Sequence, residues 1–290
     1  MHTYRQVGQI QLTSLVCQFS KVNTISINAL QRVFVKMTMA QISNSAAYDP
    51  IAQSYTEIKK ELPLALYVEL PSMDKLIGSV QGLRVLDLGC GDGKYARLYK
   101  EKGASEVVGV DLSSEMIKIA ADTTAASGVK FVVGDASRLQ DLNLGKFDVV
   151  AASYLLNCAS SVDILKAMIT SIKACLKPNG RFVTINNNPF VDPSDFHLQA
   201  QYGYYKTVSS DDILNTPVGT PFKVKIAYNG KESELTDFYM PSDIIQKSFE
   251  ELGFDFKYVK PTVFENPFPA EYWDGLKKAS PLMLMEAILK

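Results

Sequence analysis

The chain has 290 residues, is 47% hydrophobic and 21% charged, and carries a formal net charge of −1, a balance expected of a soluble globular protein with a sizeable core. That charge, with no lysine and arginine cluster, argues against nucleic acid or an anionic membrane surface and favours a small-molecule partner. No apolar run approaches the roughly 20 residues of a membrane span. The four cysteines and two histidines show neither CxxC pairing nor zinc-ligand spacing, so a cytoplasmic monomer or homodimer without bound metal is expected.

Residues 1–47 carry Arg5, Lys21, Arg32 and Lys36 and no acidic residue. They read as a flexible extension or, alternatively, as a mitochondrial transit peptide. From Tyr48 onward helical and strand patterns alternate, the signature of an α/β fold with a parallel sheet covered by helices. Helices are expected near 50–62 and 64–79, within an N-terminal helical segment 48–80. A buried strand follows at 84–88, then a helix over 92–102 stopped by Gly103. Strands at 107–110, 130–133 and 147–152 alternate with helices, and Leu165, Met168, Ile169, Ile172 and Leu176 mark one buried helix face. Lys177-Pro-Asn-Gly180 ends that helix, and a fifth strand covers 181–185. Residues 189–240 break the alternation. Within them, strands at 222–228 and 232–239 flank Asn229-Gly230, which predicts an inserted β-hairpin outside the main sheet. A helix over 242–252 and strands at 254–258 and 282–289 close the chain.

The segment Val85-Leu-Asp-Leu-Gly-Cys-Gly-Asp-Gly93 sets an apolar strand directly before a glycine-rich turn and a helix, so backbone can approach a ligand at the helix N-terminus. A dinucleotide fingerprint needs glycine at position 94, which is Lys94. Asp87 and Asp92 would repel a pyrophosphate but suit a donor that carries a sulfonium and an ammonium, S-adenosylmethionine. Asp111 ends the second strand twenty residues after Gly91, where a carboxylate can accept from both ribose hydroxyls. Leu112 and Met116 follow it, with Met116 a candidate for a purine face. Asp135 and Ala136, after the third strand, supply an acceptor and a backbone donor for an adenine edge.

The elements VLDLGCGDG, GVDLS, GDA, FDVVAASYLLN and LKPNGRFV, in this order, resemble the successive signatures of class I S-adenosylmethionine-dependent methyltransferases over roughly residues 45–290. The run Tyr48-Asp-Pro-Ile-Ala-Gln-Ser-Tyr55 is similar to the lid helix of small-molecule members, including the toxoflavin-type N-methyltransferases. The resemblance implies a Rossmann-like, seven-stranded, mostly parallel sheet of order 3-2-1-4-5-7-6. It assigns Asp87, Gly89, Gly91 and Ser153 to the methionine part of the donor, Asp111 to the ribose, and Asp135 with Ala136 to the adenine. Tyr55 would close over the donor, and Gly93 belongs to the same turn. Cys90 lies in that turn as a small filler.

Methyl transfer from a sulfonium needs alignment in a dry pocket more than it needs a base. Tyr154 and Asn157, after the fourth strand, are candidates to orient the acceptor, and His197 is the histidine available to serve as a base. Tyr48, Phe238, Tyr239 and Trp273, with Phe268, are candidates to wall a flat acceptor. Position 153 begins Ser-Tyr-Leu-Leu rather than the Asn/Asp-Pro-Pro-Tyr/Phe motif of many nucleic-acid and protein methyltransferases. A small aromatic or heterocyclic metabolite methylated on N or O is therefore expected. The alternatives are a donor-binding regulatory module without turnover and, disfavoured by Lys94, a nicotinamide-dependent oxidoreductase.

Overall fold

A computed structural model describes residues 48–124, 128–206, 216–264 and 266–290. The expected extension over 1–47 lies outside the described residues. Seven strands form the central sheet: β1 (Arg84–Leu88), β2 (Glu106–Asp111), β3 (Lys130–Val133), β4 (Phe147–Ser153), β5 (Leu176–Asn187), β9 (Phe254–Val259) and β10 (Leu282–Leu289). Their order is β3-β2-β1-β4-β5-β10-β9. β1 to β5 run parallel, while β10 is antiparallel to both β5 and β9. This is the expected 3-2-1-4-5-7-6 arrangement, with the sixth and seventh strands of the sheet carrying the labels β9 and β10.

Strand periodicity divides the core into two layers. Val85, Val107, Val149 and Val183 pack with Ile58, Met73 and Ile77 from the N-terminal helices α1 (Ala52–Glu61) and α2 (Leu70–Ile77). The alternate residues Leu86, Val108, Val150 and Phe182 pack with Leu165 and Ile169 of α5 (Val162–Cys175) and Phe249 of α6 (Ser242–Glu251). Burying each such side chain contributes about 1.5–3 kcal/mol. Two further helices, α3 (Lys94–Glu101) and α4 (Ser114–Thr124), start just beyond β1 and β2. Between α1 and α2 the chain makes a π-helical turn, Ala65–Glu69, a local widening that recurs at functional positions.

The Lys177-Pro-Asn-Gly180 segment does not precede the fifth strand, as expected, but bulges from within it. Leu176 pairs with Phe147 and Arg181 with Val149, and Asn179 takes φ 60°. The insertion also holds more than a hairpin. β7 (Pro221–Tyr228) and β8 (Lys231–Phe238) turn at Asn229 and Gly230, both at positive φ. A short strand, β6 (Tyr204–Lys206), completes a three-stranded sheet of order β6-β7-β8, after a 3₁₀ segment, Pro193–Tyr202. Three residues are too few for periodicity to announce a strand; β6 exists through its pairing with β7. The last helix, α7 (Asp274–Ala279), leads into β10. Among the described residues no helix is long and apolar enough to cross a membrane, and no cluster of three or more potential ligands could hold a metal ion.

Candidate active site

The carboxyl ends of β1, β2, β3 and β4 converge on the glycine turn. Gly89, Gly91 and Gly93 take φ of 62°, 51° and 77°. A Cβ on Gly91 would meet nothing within 4 Å, so this side of the turn is open. Gly93 is different. A Cβ there would lie 2.6 Å from Phe131 Cζ, so its bareness serves packing as well as backbone conformation. Ser153 O approaches the Cβ position of Gly89, placing the end of β4 beside the turn. Cys90 is buried, and a Cβ on Gly109 would come within 3.0 Å of its sulfur. Burial, then Asp87, pushes its thiol well above the usual cysteine range, which keeps it protonated as an inert filler.

Asp87 is 1% exposed. One carboxylate oxygen, Oδ2, has no hydrogen-bond partner, and burial followed by Asp111 raises its pKa well above the ordinary value. An uncompensated carboxylate at a glycine turn is suited to a cationic group. Asp111 Oδ2 accepts from Gly91 N at 2.8 Å and Oδ1 from Ser113 N at 2.9 Å. The carboxylate keeps acceptor capacity for a hydroxyl. Burial raises the Asp111 pKa, opposed by the amides of Ser113, Gly91 and Leu112. Gly134 N donates to Asp111 O at 2.8 Å, which brings Asp135 and Ala136 alongside Asp111. Asp135 Oδ1 accepts from Ser137 N and Oγ at 2.8 and 2.7 Å, closing that turn. Met116 is 2% exposed, so its side chain is core and offers little to a purine face.

The N-terminal segment seats on the same strand ends. Ser113 Oγ donates to Asp49 Oδ1, and Glu115 N approaches the same oxygen at 3.5 Å, so Asp49 sits at the N-terminus of α4. Tyr48 and Tyr55 meet edge to face at 6.0 Å and line a narrow cavity of about 10 Å³ with Tyr154, Tyr204, Asn157 and Asp237. Tyr154 holds φ 57°, unusual for a bulky residue and typical of functional sites, with its N–H bonded to Ile185 O at 2.7 Å. Its hydroxyl donates to Glu69 Oε1 at 2.7 Å, and Glu69 pairs with Lys59, whose ammonium lies 4.9 Å from the Tyr154 ring centroid. Asn157 Nδ2 donates to Asp237 Oδ1 at 2.7 Å, and Asn187 Nδ2 to Oδ2 at 2.6 Å. Tyr204 donates to Asn187 Oδ1. Asn157 Oδ1 is buried without a partner.

The remaining expected residues divide. Phe238 and Tyr239 line a second cavity, of about 70 Å³, which Asn157 also lines. Trp273 lines neither. It is 2% exposed, stacks on Tyr202 at 5.6 Å, packs with Phe268 and donates to Asn266 Oδ1 at 3.0 Å, so it is aromatic core. His197 also lines neither; it is exposed, with Nδ1 2.8 Å from Ser194 O in its own turn. Lys59, Glu69, Tyr204, Lys206 and Asp237 were not anticipated, whereas Asn187 lies in the Asn186-Asn-Asn-Pro189 run that the sequence offers as polar contacts of a substrate rim. Two left a signal. Glu69 is the sole charge in the apolar run 62–70, and Asp237 shares the inward phase of β8 with the buried Ser233.

Residues 85–180 match the model of a methyltransferase domain. The chain is 33% identical over 126 residues to a ubiquinone biosynthesis O-methyltransferase from Bordetella avium, covering 42% of this chain and 51% of that protein. It is 35% identical over 140 residues to a demethylmenaquinone methyltransferase from Lactococcus lactis, covering 46% and 53%. The chain thus spans about half the length of these curated relatives. The structure of magnesium protoporphyrin IX methyltransferase from Synechocystis, solved with bound S-adenosylhomocysteine, superposes with a TM-score of 0.53 at 16% identity, over 87% of this chain and all of that one. Residues 85–180 are therefore a methyltransferase domain, and the chain around them has the fold of the class I S-adenosylmethionine-dependent methyltransferases.

Proposed function

We propose that the protein transfers the methyl group of S-adenosylmethionine to a nitrogen or oxygen of a small, aromatic or heterocyclic metabolite. The observation that carries this reading is the unpartnered Asp87 oxygen beside a glycine turn open at Gly91. Asp87 would balance the donor's ammonium, Asp111 would accept from its ribose, and Asp135 with Ala136 would take the adenine edge. The likeness to a ubiquinone biosynthesis O-methyltransferase and a demethylmenaquinone methyltransferase supports methyl transfer to a small molecule.

When bound, S-adenosylmethionine supplies an activated methyl group for in-line displacement. The chain's work is alignment and exclusion of water. Tyr48 and Tyr55 close the site from the N-terminal side. Tyr154, held by Glu69, and Asn157, held by Asp237, orient the acceptor through the phenol and through the spare amide oxygen. Residues 189–240 supply the acceptor side, as Phe238, Tyr239 and Asp237 come from it.

Calorimetric titration with S-adenosylmethionine and S-adenosylhomocysteine tests the assignment. Binding by the wild type is expected, weakened about 10–100-fold in Asp111→Asn, with a cooperative thermal transition above the assay temperature as the folding control, because the new amide nitrogen faces a backbone N–H and lowers the midpoint. No binding of either ligand by the wild type would overturn it. Binding with no S-adenosylhomocysteine formed against a broad acceptor panel would leave a donor-binding module.

A further inference from the structure

The 70 Å³ cavity combines three kinds of wall. Phe196, Phe222 and Phe238 make it aromatic, Asn187 and Asn188 border it with amides, and Lys206 is the one charged side chain among the described residues that line it. The amides of Asn187 and Asn188 are already committed. Asn187 bonds Asp237 and Tyr204, and Asn188 bonds Ser280 O and Phe190 N. Lys206 is not. Its ammonium lies 4.4 Å from the Phe196 ring centroid, and no carboxylate among the described residues comes within ion-pair distance of it. Asp237 is the carboxylate whose field it feels, yet the two make no ion pair, and the Asp237 oxygens accept from Asn157 and Asn187 instead. Burial lowers the Lys206 pKa to about 8, so at neutral pH the group is still mainly charged. Holding an ammonium against aromatic walls with no counter-ion among the described residues is costly unless a ligand supplies one.

We infer that this cavity receives the carboxylate end of an aromatic or apolar acid, with Lys206 as its counter-ion, and that this acid is the methyl acceptor. The second clause rests on the transferase reading; the first does not. About 70 Å³ admits a carboxylate and part of one ring rather than a whole acceptor. Asn157 lines both cavities, so an acid anchored at Lys206 extends past Asn157 toward Tyr154, where the reacting atom belongs. Phe196 offers its ring face to the ammonium and an edge to an aromatic body.

The test uses matched probes, benzoate against benzamide and phenylacetate against phenylacetamide. Binding is followed by ligand-observed NMR on the full chain, with and without saturating S-adenosylhomocysteine. The wild type is expected to bind each acid about tenfold more tightly than its amide. Lys206→Met should abolish the preference and Lys206→Arg should restore most of it. Equal binding of acid and amide by the wild type, no binding of either acid, or a preference that survives in Lys206→Met would each overturn the inference. S-adenosylhomocysteine titrated into the same samples separates the two readings. Intact binding of that product without acid preference sinks the inference whole and leaves the transferase reading standing. Acid preference without product binding keeps the anion site and sinks the transferase reading.

Discussion

On the donor side, Gly89, Gly91 and Gly93 act through their own backbone within a single turn, whereas on the acceptor side Asp237 meets Asn157 and Asn187 across 80 and 50 residues of chain. The first construction is local: a strand end, three positive φ angles and a helix start. The second exists only after the inserted sheet has docked against the ends of β4 and β5. Ligand chemistry differs accordingly. The proposed donor side offers bare backbone and carboxylates, and the proposed acceptor side offers amides and phenols tied to Asp237 and Glu69, with the amines of Lys59 and Lys206.

Breaking the local construction should cost most. Gly93→Val adds a side chain at φ 77° and 2.6 Å from Phe131 Cζ, so left-handed strain and overpacking together predict a loss of about 3–5 kcal/mol, read by urea unfolding. If the loss is below 1 kcal/mol, the turn is not the rigid element described. Asp237→Leu strips the acceptor from one buried and one half-buried amide, and a stability loss of about 2–4 kcal/mol is expected in the same assay. A neutral outcome would mean that the inserted sheet docks independently of that network. Tyr154→Phe removes one hydrogen bond to Glu69 while Lys59 remains paired to it, so stability should fall by about 1 kcal/mol. Turnover, measured by release of S-adenosylhomocysteine, should fall about tenfold, and unchanged turnover would remove Tyr154 from acceptor orientation. The smallest effect belongs to His197→Ala. This exposed ring should change stability by less than about 0.5 kcal/mol. Loss of turnover would restore the base that the geometry keeps out of both cavities.

This contrast also explains what could be read in advance. Alternating strand and helix patterns, Gly103 after α3 and Asn229-Gly230 in the hairpin each act within a few residues, so fold class, most boundaries and the glycine turn were legible. Trp273 and His197 were misjudged for a different reason. A lone tryptophan and a scarce histidine attract attention by rarity, but rarity says nothing of burial or direction, and the structure gives one to an aromatic core and the other to solvent. Lys206 and Asp237 were missed because their meaning depends on partners distant in sequence. A lysine in a three-residue strand is ordinary until β6 pairs with β7 and turns it toward Phe196.

The seat of Asp49 on Ser113 and Glu115 has a kinetic consequence. Because it lies beside Asp111, any opening of the N-terminal segment and occupancy of the proposed ribose site would be linked equilibria, each changing the other by the same factor. The donor and its demethylated product share that ribose, so the latch grips both alike. A stronger latch would lengthen the residence of the product as surely as that of the donor, and the rate of reopening would then set the pace of the cycle.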